Sequence, residues 1–297
     1  MVTKEMTAIL KKYWFHIFAI LIILVWGVSF PFTKILLANG LSPTEIFVYR
    51  FIVAYLSLLA ISRFKVKLWG WRDELLAALC GLTGGAMYFV FQNFALDLTL
   101  LSDVVIVVAI NPLLTTILAA IFLKEEHFSL KILLGSVLAF AGVAIVTLHK
   151  GFVWGNGLLG NVLAILAALA WSIYSVMLKR IQNRHDTLDI TRKVMFYGTL
   201  CALPAMFAQP LSPVETLLRP DVALNLLFLA LVCSMAAFLG WNLVIKKIGA
   251  ISASNYLYLE PIVSLILGVI MIGEHVGLIA IVGCALVLLG VIMVEKK

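Results

Sequence analysis

Residues 93–146 read NFALDLTLLSDVVIVVAINPLLTTILAAIFLKEEHFSLKILLGSVLAFAGVAIV, and residues 242–294 read NLVIKKIGAISASNYLYLEPIVSLILGVIMIGEHVGLIAIVGCALVLLGVIMV. The second segment repeats the first at an offset of 148 to 150 residues. The matching positions are Asn93 and Asn242, Ser102 and Ser252, Pro112 and Pro261, Glu126 and Glu274, His127 and His275, Gly135 and Gly283, and Gly142 and Gly290. The repeat predicts two related halves, residues 1–150 and residues 151–297.

The apolar character of the repeated segments extends over the whole chain. Of its 297 residues 63% are hydrophobic and only 12% are charged. A soluble domain has roughly 45–50% apolar and about 25% charged residues, so this composition excludes a soluble fold. The net charge of +7 does not indicate a nucleic-acid partner, because the basic residues lie in short clusters between apolar runs.

Runs of about 20 apolar residues are long enough to cross a bilayer as helices. Ten such spans are predicted: Trp14–Ala38, Pro43–Ser62, Asp73–Leu96, Leu101–Leu123, Ser129–Leu148, Leu158–Lys179, Leu188–Ala208, Val222–Ile245, Ile251–Ile272 and Gly277–Val294. Each half then holds five spans, and an odd number places the two halves in opposite orientations. The expected fold is an all-α membrane protein with ten transmembrane helices in two inverted five-helix repeats, an architecture typical of secondary transporters.

The basic residues also predict the orientation. Eighteen Lys and Arg residues fall on the side of the N-terminus and two, Lys150 and Arg219, fall on the other side. The positive-inside rule therefore predicts an integral protein of the cell (inner) membrane with both termini in the cytoplasm.

Short motifs in both halves resemble the drug/metabolite transporter superfamily, and specifically its ten-helix EamA-type branch. The motifs are Trp26-Gly27-Val28-Ser29-Phe30, Arg50-Phe51, Gln92-Asn93-Phe94-Ala95-Leu96, Trp241-Asn242, Gly249-Ala250, Leu259-Glu260-Pro261 and Gly273-Glu274. The Arg192-Lys193 pair in the seventh span departs from this pattern. The resemblance implies a basket of helices that opens to either side of the membrane. It also implies gradient- or proton-driven export or exchange of amino acids and related metabolites.

Polar side chains within the spans are the candidate ligands, because polar groups are costly in hydrocarbon and often functional there. The candidates for substrate binding are Asn93, Asn111, Trp241, Asn242, Asn255, Tyr256 and Glu260. Amides both donate and accept hydrogen bonds, which suits a zwitterionic solute. Each amide has an alternative role as a hydrogen bond between helices, worth ~0.6 kcal/mol.

Two prolines and three charges complete the set of candidates. Pro112 and Pro261 each remove a backbone hydrogen bond, so we expect bends in the fourth and ninth spans. Lys34 is expected to reach the outer interface by snorkelling. Arg50 lies deeper and needs a partner, either a freed carbonyl or an acidic residue. Glu260 either binds a substrate amine, exchanges a proton, or makes a structural hydrogen bond.

A transporter accounts for the repeat, the paired prolines and the buried polar groups together. We expect no enzyme activity, because HExxH, GxSxG and P-loop motifs are absent from the sequence. We also expect no cofactor, no metal ion and no nucleic-acid partner. The expected partners are the lipid bilayer, a small-molecule solute and, as coupling ions, protons; a monomer is compatible with the pattern. A drug or nucleotide-sugar carrier is the alternative within transport, and a membrane scaffold or sensor is the alternative outside it.

Overall fold

The structure, a computed structural model, describes residues 2–99, 101–123, 129–148, 157–263 and 278–295. Every regular element in these ranges is a helix. The α-helices are α1 (Val2–Ala38), α2 (Pro43–Ile61), α3 (Trp71–Gly81), α4 (Tyr88–Leu98), α5 (Leu101–Val108), α6 (Asn111–Phe122), α7 (Leu130–Leu148), α8 (Leu158–Ile181), α9 (Thr187–Phe207), α10 (Val214–Leu218), α11 (Pro220–Phe228), α12 (Ala237–Ile248), α13 (Ala250–Asn255) and α14 (Leu278–Glu295). Two π-helical segments, π1 (Leu82–Met87) and π2 (Leu229–Ala236), and a 3₁₀ segment at Tyr256–Leu259 connect some of them.

Five continuous helices in the described part of the chain are long and apolar enough to cross a membrane. They are Tyr13–Ala38, Pro43–Ile61, Trp71–Leu98, Leu158–Ile181 and Pro220–Ile248. Shorter apolar helices cover Asn111–Phe122, Leu130–Gly142 and Ile281–Val294. The all-helical membrane class predicted from the sequence is confirmed. The second part of the ninth predicted span, together with Glu126 and Glu274, lies outside the described residues.

The boundaries of α2 are set by a capping box at its start and by two residues with positive φ angles after its end. Ser42 accepts a hydrogen bond from the N–H of Glu45, and the Glu45 carboxylate accepts one from the N–H of Ser42. This capping box satisfies two backbone donors that a helix N-terminus otherwise leaves free, and Pro43 fits the first turn because it has no N–H. The helix ends before Arg63 and Phe64, which both have positive φ angles of 52° and 60°.

The fourth and ninth spans are interrupted where the sequence carries its paired prolines. Pro112 occupies the first turn of α6, and the turn at residues 109–110 separates α6 from α5. In the ninth span α13 gives way to the 3₁₀ segment, and the chain is helical again from Glu260 through residue 263. Because proline cannot donate a backbone hydrogen bond, an unbroken α-helix cannot run through either site without loss.

The third and eighth spans are continuous helices, but each contains a π-helical segment in place of α-helix. The N–H of Tyr88 donates to the carbonyl of Thr83, and the N–H of Ala237 donates to the carbonyl of Val232, each five residues earlier. The two segments begin 147 residues apart, close to the offset of the sequence repeat. They therefore lie at corresponding places in the two halves.

Packing joins helices from the two halves. The helix α2 packs against α9 and π2, α4 packs against α8, α1 packs against α12, and α7 packs closely against α14. At the last contact a Cβ atom on Gly290 would lie 2.5 Å from the carbonyl oxygen of Gly135, so the glycine allows the backbones to meet. Large apolar side chains such as Leu24, Leu56 and Ile121 are exposed on the outside of the bundle, which is suited to lipid.

Candidate functional site

Aromatic side chains pack against one another in the buried interior of the helix bundle. The Trp171 ring lies at centroid distances of 5.4 Å from Trp26, 4.6 Å from Tyr88 and 5.6 Å from Phe238. Trp26 in turn lies 5.1 Å from Trp241. We call these five residues the aromatic cluster; the two helical halves both contribute to it. Tilted and edge-to-face pairs at these distances add ~0.5–1.5 kcal/mol each beyond the area that they bury.

The indole N–H groups of the aromatic cluster are not all bonded. Trp26 donates to the carbonyl of Cys233 in π2 over 2.9 Å. The indole nitrogens of Trp171 and Trp241 are buried and have no hydrogen-bond partner in the part of the chain that the structure describes. An unpartnered donor in a dry interior is costly, so these two groups are candidates for contact with a solute.

Arg50 lies beside the aromatic cluster and is only 1% exposed. Its Nε donates to the hydroxyl of Ser234 in π2 over 2.8 Å, and its guanidinium carbon lies 4.7 Å from the centroid of the Phe89 ring. Arg50 makes no ion pair with any carboxylate of the described residues. The sequence predicted a carbonyl or an acidic partner, but within the described ranges a serine hydroxyl takes that place instead.

Glu260 lies at the end of the 3₁₀ segment and is 6% exposed. It has no hydrogen bond or ion pair with a described residue. Its helical turn packs on α1, where a Cβ atom on Gly27 would lie 2.6 Å from the Val263 side chain. The structural hydrogen bond considered for Glu260 is therefore not formed within the described ranges.

The four candidate asparagines are all buried and all hydrogen-bonded. Asn93 donates to the carbonyl of Pro43, although its Oδ1 has no partner among the described residues. Asn111 accepts a bond from Thr115 within the same helix. Asn255 accepts a bond from Ser136 of α7 and donates to the carbonyl of Ile251.

Asn242 is the most fully bonded of the four. Its Oδ1 accepts from the Tyr174 hydroxyl over 2.5 Å, its Nδ2 donates to Thr191 over 2.8 Å, and its carbonyl accepts from Gln182 over 2.6 Å. It thereby joins α12 to α8 and α9. For all four asparagines a binding role stays a prediction.

Tyr256 and Lys34 have partners at the edges of the bundle. The Tyr256 hydroxyl shares a hydrogen bond of 2.7 Å with Nδ1 of His16 in α1. Lys34 donates to the carbonyls of Leu96 and Thr99 at the C-terminal end of α4. A cation at a helix C-terminus is favoured by the helix dipole, so Lys34 has a structural role there.

The sequence analysis missed Ser234 and the two π segments. A single serine in an apolar run carries no signal of its own. Gly84 and Gly85 lie in π1, and a Cβ atom on Gly84 would lie 2.3 Å from the Tyr174 ring. That contact brings α8 against the backbone of π1 and places Trp171 in the centre.

A network of charged residues closes the end of the bundle that the sequence assigns to the cytoplasm. Arg192, 2% exposed, donates to Asp189, to the Ser62 hydroxyl and to the carbonyl of Lys65. Lys67 forms ion pairs with Asp189 and Asp186, and the hydrogen bonds to these carboxylates raise the pKa of its ammonium. The network ties the loop between α2 and α3 to the start of α9. It also explains how the seventh span tolerates its charges.

Glu74 of α3 belongs to the same charged network, and we call this network the first closure. It accepts hydrogen bonds from Lys193 over 2.5 Å, from the Tyr197 hydroxyl over 2.7 Å and from the N–H of Trp69 over 3.0 Å. The His185 ring stacks on Trp69 at 3.8 Å. A smaller contact, which we call the second closure, lies at the opposite end of the bundle. There Glu45 accepts two hydrogen bonds from Ser212, over 2.7 and 2.9 Å.

Comparisons with known proteins agree with this architecture. A model of the EamA-like transporter family matches residues 13–148 and again residues 158–295. An uncharacterized transporter of Archaeoglobus fulgidus is 29% identical over 275 residues, which cover 92% of this chain and 95% of that protein. A protein of Streptantibioticus cattleyicolor described as a "Probable terminal-alkyne amino-acid exporter" is 28% identical over 94% of this chain and 92% of its own length.

A solved crystal structure has the same fold. It superposes with a TM-score of 0.75 over 95% of both chains at 20% sequence identity. The fold and the buried centre define an integral membrane transporter with two repeats. The chain belongs to the EamA-like transporter family, and the resemblance to the drug/metabolite transporters is confirmed.

Proposed function

We propose that the chain is a secondary transporter that exports or exchanges amino acids or related small metabolites by alternating access. The observation that carries the proposal is the composition of the buried centre. Arg50 of the first half donates to Ser234 of the second half, and Trp26 of the first half lies against Trp171 and Trp241 of the second half. Residues that meet between two halves change their surroundings when the halves rock against each other, as alternating access requires.

The two closures support the same mechanism. The charged network around Glu74 and Arg192 holds one end of the bundle together, and the contact between Glu45 and Ser212 holds the other. Opening towards one side requires the closure on that side to separate, while the other remains. The inverted arrangement of residues 1–150 and 151–297 would let the two halves exchange these roles.

The two alternative functions fit the centre less well. A scaffold or sensor leaves the cost of burying Arg50 and Glu260 unexplained; insertion of a central Arg alone costs ~2.5–3.5 kcal/mol on translocon scales. A nucleotide-sugar carrier needs several cations around its phosphates, whereas Arg50 is the one buried cation that the described residues place beside the central aromatic rings. The similarity to a protein described as an amino-acid exporter favours the amino-acid class.

Counterflow in proteoliposomes tests the proposal. Vesicles loaded with one unlabelled solute are diluted into a trace of the same labelled solute, and accumulation above protein-free vesicles reports transport. The panel holds amino acids, monovalent drug cations and nucleotide sugars. We expect accumulation of amino acids alone. Accumulation of a drug cation or a nucleotide sugar instead would support the alternative carriers, and accumulation of no solute would support the scaffold.

A further inference from the structure

Residues 63–72 read RFKVKLWGWR and connect α2 to α3; we call them the basic segment. Four of these residues are basic and none is acidic. Four apolar side chains lie between the basic ones and are largely exposed: Phe64 by 71%, Val66 by 58%, Leu68 by 88% and Trp71 by 71%. Leu68 is the most exposed large apolar side chain of the described residues. Exposed apolar groups that lie together in this way mark an interaction surface.

The backbone of the basic segment is anchored to the helix bundle. The carbonyl of Lys65 accepts a hydrogen bond from Arg192. The N–H of Trp69 donates to Glu74, and the Trp69 ring stacks on His185. These contacts belong to the first closure. The exposed apolar side chains are therefore carried by a fixed backbone, which presents them as a surface.

Three of the four cations in the basic segment lack a counter-ion. Arg63, Lys65 and Arg72 form no ion pair with a carboxylate of the described residues. The fourth, Lys67, is held by the first closure. The guanidinium carbon of Arg72 lies 5.3 Å from the centroid of the exposed Trp71 ring. An indole beside a cation suits the level of lipid headgroups, where tryptophan is enriched and basic residues meet anionic lipid.

The neighbouring spans place the basic segment at the membrane surface. The span Pro43–Ile61 ends just before it, and the span Trp71–Leu98 begins within it. A connection this short keeps its residues close to the bilayer, because an extended residue reaches at most ~3.6 Å. The sequence assigns this end to the cytoplasm, where the leaflet carries the anionic lipids. Charge complementarity therefore favours lipid as the occupant of the surface.

We propose that the basic segment is a docking surface for the anionic headgroups of the adjoining leaflet. Its three unpaired cations bind headgroup phosphates, and its four exposed apolar side chains enter the boundary between headgroups and acyl chains. Binding to a membrane surface grows with the buried apolar area and with the attraction to anionic lipid, and this segment supplies both. The surface is separate from the buried centre and does not depend on which solute is transported.

A nitroxide spin label at residue 70 measures how deeply the basic segment lies in the membrane. Gly70 is chosen because a Cβ atom there would meet nothing within 4 Å, so every proposed contact stays in place. The label is attached to Gly70→Cys in the full-length protein, with its four native cysteines replaced by alanine. The protein is reconstituted in vesicles of phosphatidylcholine alone, or with about 30% phosphatidylglycerol to make the surface anionic.

Collisions of the label with a neutral nickel chelate report its exposure to water. We expect phosphatidylglycerol to lower the collision rate at residue 70 at least about twofold, since each Lys or Arg near an anionic surface is attracted to it. A label on Asn183→Cys, exposed in the loop between α8 and α9 at the same end, is the control with an unchanged rate. Equal rates at residue 70 in the two kinds of vesicle would overturn the proposal.

Removing the cations tests their part in the docking. The triple variant Arg63→Gln/Lys65→Gln/Arg72→Gln is expected to abolish the effect of phosphatidylglycerol on the label at residue 70. The variant Lys246→Gln/Lys247→Gln removes two cations from the last turn of α12 and is the matched control, with the effect retained. An effect that survives the triple variant would contradict the role of these cations.

Removing the apolar side chains tests the insertion. Phe64→Ser/Leu68→Ser is expected to raise the chelate collision rate in both kinds of vesicle, and an unchanged rate would contradict insertion. A second copy of the chain is the alternative occupant. It would broaden the spectrum by coupling between two labels, and dilution with unlabelled protein would remove the broadening and the protection together; that result would also overturn the proposal. If a variant does not fold, the comparison of the two kinds of vesicle with the unsubstituted segment still decides.

Discussion

Replacing Asn242 with leucine removes two side-chain hydrogen bonds and keeps the branched shape of the side chain, with two methyl groups in place of the amide oxygen and nitrogen. Tyr174 loses its acceptor and Thr191 loses its donor, whereas the bond from Gln182 to the backbone carbonyl remains. Hydrogen bonds between helices in a membrane are worth ~0.6 kcal/mol on average, so the two bonds amount to about 1.2 kcal/mol. Thr191 keeps a second bond to the carbonyl of Thr187. Tyr174 keeps none among the described residues, and its buried hydroxyl then adds ~1–3 kcal/mol.

The expected destabilisation is therefore about 2–4 kcal/mol, which raises the unfolded fraction roughly 30- to 900-fold. Equilibrium unfolding in mixed micelles measures it. Tyr174→Phe and Thr191→Val are the matched controls, each expected to cost about 0.6 kcal/mol. The double variant Asn242→Leu/Tyr174→Phe should be no less stable than Asn242→Leu, because no hydroxyl is then stranded.

The same variant separates a structural role from a binding role. If Asn242 joins helices, the KM for the transported solute in counterflow stays within about twofold of the unaltered protein. A variant with unchanged stability and a KM raised tenfold or more would refute this reasoning and identify Asn242 as a ligand.

Three further predictions concern coupling, topology and gating. Glu260→Gln keeps the shape of the side chain and removes its titration; we expect transport that no longer responds to an imposed proton gradient, and an unchanged response would show that Glu260 is not the coupling acid. Single cysteines at Lys150 and Arg219 should react with impermeant reagents from outside the cell only, and reaction from the cytoplasm alone would overturn the topology. Glu74→Gln weakens the bond to Lys193, so spin-label distances across the predicted cytoplasmic end should widen; unchanged distances would exclude this contact as a closure.

The class of fold followed from hydropathy and from the repeat, because both depend only on which residue types recur along the chain. The interruptions at Pro112 and Pro261 could be expected for a similar reason, since the lost hydrogen bond is a property of proline itself. The interruptions at π1 and π2 could not, because a π turn replaces one backbone bond by another and needs no special residue.

The sequence predicted which polar residues lie within the spans, but it did not predict which of them are bonded to neighbouring helices. Asn242 and Glu260 are both polar residues within predicted spans, and the sequence offers no reason to separate their roles. The structure separates them: Asn242 is bonded to Tyr174, whereas Glu260 has no hydrogen bond with a described residue. Likewise, Lys193 looked unfavourable in a span because its partner, Glu74, lies 119 residues earlier in the chain.

Each π turn also sets the angular phase of the helix that follows it. A π turn absorbs one extra residue locally. In a continuous α-helix the same extra residue would rotate everything that follows it by ~100° about the helix axis. If the same residues were wound as a regular α-helix, the whole face of α4 would turn by roughly 100°, and Tyr88 and Phe89 would move away from Trp171 and Arg50 together. The position of every aromatic ring on α4 is decided by a backbone irregularity in the turn before it.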